Sequence, residues 1–241
     1  MVTGRDGVSD GAAHLFVADV EAPQLDEDDR HHVMTVLRLR AGEPLTVSDG
    51  NGRWRACRFA PGGEIEPAGE IVVVEAPQPP LSVGIALTKG NRPELAVQKL
   101  TELGIEHIVP FVGARSVVRW EGPRAQSHLQ RLRRVAREAS MQSGRVRLPV
   151  VEDLTGFADV AARPGVALTQ MGGEAPTLAH TSLLVGPEGG WADEELALGL
   201  PQVGLGSLVL RAETAAIAIA SLVVGLRLGL VRPARNGHST A

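Results

Sequence analysis

The stretch Leu183-Leu184-Val185-Gly186-Pro187-Glu188-Gly189-Gly190-Trp191 decides how the carboxyl-terminal two thirds of the chain is read. Three apolar residues run straight into a turn of three glycines and one proline, which has the form of a buried strand, a loop and then a helix. Without side chains in the way, such a loop lets backbone N–H and C=O groups come close to a ligand. It has neither the G-x-G-x-x-G of a dinucleotide fold nor the G-K-S/T of a phosphate loop. A nucleoside held by main-chain groups and a plain tight turn are the two readings left. A second stretch, Leu205-Gly206-Ser207-Leu208-Val209-Leu210-Arg211-Ala212-Glu213-Thr214-Ala215, repeats the order of loop, strand and helix start. It predicts a strand over residues 207–210 with Arg211 at its end, and Thr214 or Glu213 as the cap of the helix that follows.

Upstream of these stretches, β-like and helical segments alternate: LSVGIALT, a helix opened by Pro93 and closed by Gly104, HIVPFV, and a long helix from about Pro123 to Ser143. GVALTQ and SLLVG follow, then a short helix after Trp191. This order predicts an α/β fold: a mostly parallel sheet with helices on both faces and ligands at the carboxyl ends of its strands. Ahead of it, residues 14–76 alternate HLFVADV, PLTVSDG, RWRACRF and EIVVVEA with turn signals, and read as a small β-barrel. Its one helical stretch, about Asp26 to Leu39, begins acidic and ends in arginines, as the helix dipole favours. Adjacent His31 and His32 cannot share a helix face, which argues against a metal pair; RNA contact and plain surface remain open for them, Arg38 and Arg40. The Pro77-Gln78-Pro79-Pro80 stretch reads as a stiff linker. The expected organisation is a barrel over 1–76, the linker at 77–80, an α/β domain over 81–231 and a frayed tail over 232–241.

Composition narrows the function. With 241 residues, 44% hydrophobic and 22% charged, the chain is an ordinary globular protein, not a fibrous or disordered one. The polar, acidic start predicts no secretory signal, and the apolar stretch Ala215–Leu226 is too short to cross a bilayer. The lone Cys57 excludes an internal disulfide and any cysteine-based zinc site, and a reducing cytoplasm fits. The net charge of −4 hides an asymmetry: nine arginines against two glutamates between Arg115 and Arg147 make that segment +7 and leave −11 for the rest. Such a block attracts a polyanion; a solvated helix face is the alternative. The two lysines of the chain, Lys89 and Lys99, fall within one short segment.

In the long helix, Leu129, Leu132, Ala136 and Ala139 form an apolar stripe, while Arg134, Glu138 and Gln142 follow at four-residue steps on another face, with Arg145 just beyond. That polar row is a candidate seat for a substrate base. A simple Arg134–Glu138 surface pair is the rival reading.

Taken together, GPEGGW, LGSLVLRAETA, KGNRPELAVQKLTELGIEHIVPF, RSVV and REASMQSGRVRLPVV make the chain resemble the RsmE-type 16S rRNA (uracil N3) methyltransferases of the knotted SPOUT class, over residues 85–227. HHVMTVLRLRAGE resembles the PUA-like RNA-binding barrel of that family. The resemblance implies a trefoil knot over about 165–227, S-adenosylmethionine as cofactor, a homodimer, and 16S rRNA of the small ribosomal subunit as partner, with no membrane, DNA or metal. It implies that Gly186, Pro187, Glu188, Gly189 and Gly190, with Leu205, Gly206, Ser207, Leu208, Val209 and Leu210, hold the adenosyl group, and that Thr214 and Ala215 close the pocket. Catalytic candidates are Glu138 as base, Glu213 as second choice, and Arg115, Gln142, Arg145 and Arg211 for charge and orientation. RNA-binding candidates are His32, Arg38, Lys89, Arg92, Lys99, Arg119 and Arg134, with Trp120 or Trp191 available to stack on an unpaired base. Leu208 stands where the family commonly has arginine, and Ala192 where it has serine or threonine, so that Asp193 is expected to cap the short helix. Rival readings are a SPOUT enzyme acting on a ribose 2′-hydroxyl and a catalytically silent RNA-binding protein.

Overall fold

The computed structural model describes residues 13–90 and 92–232. All but the first residue of the tail expected to be frayed therefore lies outside the described residues. The chain divides into two compact units, one of residues 1–77 with 137–148, the other of 78–136 with 149–241. The expected division took no account of 137–148, which pack with the amino-terminal unit although the sequence runs them on from a helix of the other.

In the first unit, β1 (Ala13–Phe16), β2 (Pro44–Ser48), β3 (Arg53–Phe59), β4 (Ile65–Pro67) and β5 (Val72–Val73) form one mixed sheet. β1 and β2 are parallel, and the other pairings are antiparallel. Of the expected strand EIVVVEA only Val72 and Val73 pair, and β4 was not expected at all. Leu15, Val33, Leu45, Val47, Cys57 and Phe59 make its core. Burial pushes the Cys57 thiol up to about 11, so it remains an unreactive thiol. The expected helix is two pieces: α1 (Glu27–His31), capped by Asp26 accepting from Asp29 N at 2.7 Å, and a π-helical turn over His32–Leu37. Arg38 ends it in the left-handed region at φ 54°. Within the same unit, Arg137 donates to both oxygens of Asp29, at 3.0 and 2.6 Å, and to Phe16 O.

The second unit is a seven-stranded parallel sheet in the order β12-β10-β11-β6-β7-β8, with β9 also on β7. Its strands are β6 (Ser82–Ala86), β7 (His107–Val112), β8 (Val150–Val151), β9 (Thr155–Gly156), β10 (Val166–Glu174), β11 (Ser182–Val185) and β12 (Gln202–Val203). β8 pairs with His107 and Ile108, β9 with Phe111 and Val112; the ladder breaks between them where Pro110 offers no N–H. The helices are α2 (Arg92–Leu103), α3 (Gly122–Ser143), α4 (Phe157–Ala161), α5 (Asp193–Leu196) and α6 (Ala212–Arg227).

Helices cover both faces because the strands are apolar on both. Along β11, Leu183 and Val185 join a core with Ala96, Leu100, Ile219 and Val223 of α2 and α6, whereas Leu184 joins one with Phe111, Val160 and Trp191. Each such leucine or isoleucine, fully enclosed, is worth about 1.5–3 kcal/mol. The α3 stripe is as expected, with Leu129, Leu132, Ala136 and Ala139 all buried. Among the described residues, no helix is long and apolar enough to cross a membrane.

Candidate functional site

Where β11 ends, and alongside the middle of β10, the chain opens a cleft of about 270 Å³. One wall is Val185, Gly186, Pro187, Glu188, Gly190 and Trp191; the other is Leu205, Gly206, Leu208, Val209, Leu210, Ala212 and Ala215. The two glycine loops, separated in sequence, therefore line one cavity. Thr169, Gln170 and Met171 complete it. Those three were missed; they lie in β10 just past its pairing with β11, and the end of the apolar run in GVALTQ was the available signal.

Trp191 is a pillar of the cleft and not a free stacking surface. It is 4% exposed, donates from Nε1 to Thr169 O at 2.9 Å and lies parallel to Phe111 at 6.2 Å. A Cβ on residue 186 would sit 3.0 Å from its indole, so the first loop needs glycine there for packing. Gly206 has φ +119°, a conformation that side chains rarely adopt.

The segment 207–210 is not a strand. The sheet strand is β12 at Gln202–Val203, and Leu208 and Val209 stand 78% and 87% exposed. Their apolar alternation imitates a strand because the loop lines a cleft with small and branched side chains. Nor do Thr214 or Glu213 cap α6; Arg211 is the N-cap and uses only its backbone, accepting from Ala215 N at 2.8 Å. Likewise Asp193 is the first residue of α5, not its cap. The capping role falls to Glu195, whose Oε2 accepts from Ala192 N at 2.8 Å while Oε1 accepts from Ala114 N at 2.9 Å. Glu195 is 3% exposed and was missed; its position three residues after the cap was the signal.

Two arginines brace the first loop. Arg115, from the connection after β7, donates to Gly189 O at 3.4 Å and to Asp193 at 3.3 Å. Arg92 donates to Glu188 Oε1 at 2.5 Å, and its Nε is 3.8 Å from Glu213 Oε1. The other Glu213 oxygen is enclosed without a hydrogen-bond partner among the described residues.

The basic block proves partly internal. Besides Arg115 and Arg137, Arg131 pairs with Glu94 at 3.0 Å, Arg133 with Asp153 at 2.7 Å, and Arg147 donates to Val74 O. Arg119, Arg124 and Arg134 are exposed and in no ion pair among the described residues. Of the other RNA candidates, Lys99 pairs with Glu102 and Arg92 is occupied as above, while Lys89 is exposed in the loop after β6. Arg38 is exposed and His32 half-buried in the first unit. Glu138 and Gln142 are exposed on α3, in the part of that helix that belongs with the first unit, as does Arg145.

Residues 74–224 match the RNA methyltransferase domain, and residues 25–67 match the RNA methyltransferase PUA domain. The fold and its two-loop cleft are thus those of an RNA methyltransferase. Over 224 residues the chain is 35% identical to the ribosomal RNA small subunit methyltransferase E of Mycobacterium bovis, covering 84% of this chain and 85% of that one. The Bacillus subtilis enzyme of the same name is 29% identical over 84% of this chain and 90% of its own. The crystal structure of a Neisseria gonorrhoeae ribosomal RNA small subunit methyltransferase E bound to S-adenosyl methionine superposes with a TM-score of 0.73 at 26% identity, over 87% of this chain and 95% of that one. The chain belongs to the ribosomal RNA small subunit methyltransferase E family.

Proposed function

We propose that this protein transfers a methyl group from S-adenosylmethionine to N3 of a uridine in 16S rRNA of the small ribosomal subunit, acting as a cytoplasmic homodimer. The observation that carries the reading is the cleft between the end of β11 and the middle of β10, in which loops 186–190 and 205–210 meet. Its residues fit the cofactor: Val185, Leu210 and Ala215 offer apolar walls for a flat purine, and the glycine loops offer main-chain groups for its polar edge. Bound there, the cofactor supplies a methyl group on a positively charged sulfur. A trefoil knot over 165–227 belongs to the same proposal, and the juxtaposition of those two loops supports it. The exposed Leu208 and Val209 support a second copy covering that side of the cleft.

Uracil N3 is a weak acid flanked by two carbonyls, so a cation near either oxygen favours its deprotonated form. Arg115, already held beside the first loop, and Arg145 are the candidates for that role. Glu138 is the first candidate to take the proton, and Glu213, with one oxygen unpartnered, the second. Gln142 and Arg211 would orient the base. The amino-terminal unit, with its PUA match, would hold RNA through His32 and Arg38.

Mass mapping of 16S rRNA from a strain lacking the gene is the test. Loss of one N3-methyluridine, restored by the wild-type gene, is the expected result. Loss of a 2′-O-methyl group would instead give the chain to the ribose-methylating reading, and an unchanged map to the silent RNA-binding one.

A further inference from the structure

A second cavity, of about 500 Å³, opens beside the cleft's sheet neighbours. It is lined by Thr88, Lys89 and Gly90 from the connection after β6, by Glu94 in the first turn of α2, and by residues 118–121, Arg124 and His128 from the approach to α3 and its first turns. Because β6 is hydrogen-bonded to β11, this cavity lies along the same carboxyl edge of the sheet as the cofactor cleft. Arg92 stands between the two, following the Lys89 loop in sequence and holding Glu188 of the cleft.

Its chemistry is that of a nucleotide pocket. The rings of Trp120 and His128 are stacked face to face at 4.6 Å with 13° between their planes, so the outer face of His128 is the one left for a third ring. Trp120 is anchored by packing on the main core, while His128 is exposed. Lys89, Arg119 and Arg124 surround the stacked pair, exposed and without ion pairs among the described residues. Two carboxylates, Glu94 and Glu121, also line the cavity; Glu94 is held through Oε1 by Arg131 at 3.0 Å, and its Oε2 is enclosed. Aromatic faces bind any nucleobase by stacking, and clustered cations bind the phosphates.

We propose that this cavity binds one unpaired nucleotide of the substrate RNA other than the methylated one, with its base stacked on the outer face of His128, which Trp120 backs, and its phosphates at Lys89, Arg119 and Arg124. The assignment rests on the RNA methyl-transfer reading and adds a separate subsite to it. Such a subsite selects RNA in which a neighbour of the target is also unstacked.

The test uses the full chain with a 16S rRNA transcript and with small ribosomal subunits, measuring RNA affinity, nucleotide-resolution footprints and, by calorimetry, S-adenosylmethionine affinity. His128→Ala and Arg124→Ala, both at exposed positions, are expected to weaken RNA binding about five- to tenfold each and to remove protection at the same one or two nucleotides. Cofactor affinity should not change. Trp120→Phe, which keeps a ring behind His128, should retain most of the affinity, and Trp120→Ala should lose it. If wild type protects RNA but both exposed variants bind and protect as wild type does, the subsite is wrong and the methyl-transfer reading stands. If wild type binds neither RNA substrate, both fall together.

Discussion

Arg92 and Glu188 are hydrogen-bonded across 96 residues of sequence, tying the residue that opens α2 to the first cleft loop. The same guanidinium faces Glu213 in the first turn of α6, just past the second cleft loop. One cation therefore holds a carboxylate from each of the two segments that form the cleft.

Arg92→Met removes that link. The pair is about one third exposed, so after screening its loss should cost about 1 kcal/mol, a roughly fivefold weaker cofactor affinity by calorimetry. Arg92→Lys, a point charge without the fork, should recover less than half of the loss. An unchanged affinity in Arg92→Met would mean that the loops hold their places without it.

Gly206→Val should abolish cofactor binding while leaving the fold intact. The position has φ +119° and open space around it, so the cost falls on loop geometry and not on the core. Circular dichroism should match wild type and calorimetry should show no binding; normal binding would remove the second loop from the site.

Glu195→Ala breaks two charge-assisted bonds at once and leaves one buried and one part-buried N–H group unpaired. A destabilisation of about 2–4 kcal/mol in urea unfolding is expected.

For proton transfer, Glu138→Gln should lower kcat by about a hundredfold with RNA affinity unchanged. Near-normal turnover in that variant and a large loss in Glu213→Gln would move the role to Glu213.

Stability should fall in weak acid because of His14. It is 3% exposed, its Nδ1 is 2.8 Å from Thr46 Oγ1, and burial holds its pKa near 4, against 6.5 for a free imidazole. The folded state thus refuses a proton that the unfolded chain accepts: stability is complete above pH 6.5 and declines as pH falls towards about 4. The total loss is about 3 kcal/mol. Urea midpoints at several pH values should show this slope in wild type and a flatter one in His14→Gln.

The parts of the fold that were legible in the sequence are those whose burial repeats. Apolar runs such as HIVPFV and the 3.6-residue stripe of α3 carry their own signal, and the structure places them as strand and helix. Two-residue strands such as β8 and β9 carry none, and their partners are set by the neighbouring β7. Residues 207–210 misled because leucine and valine lining a cleft look like leucine and valine in a sheet. The glycine loops were legible as a pair, but the side chains that brace them, Glu195 and Arg92, were not, since each acts on chain 81 or 96 residues away.

The double grip of Glu195 has a consequence for how such chains can vary. Its two oxygens measure the connection after β7 against the start of α5, so adding or deleting one residue in either would pull one main chain out of reach of the shared carboxylate. Chains that keep this carboxylate are therefore expected to keep the lengths of both connections.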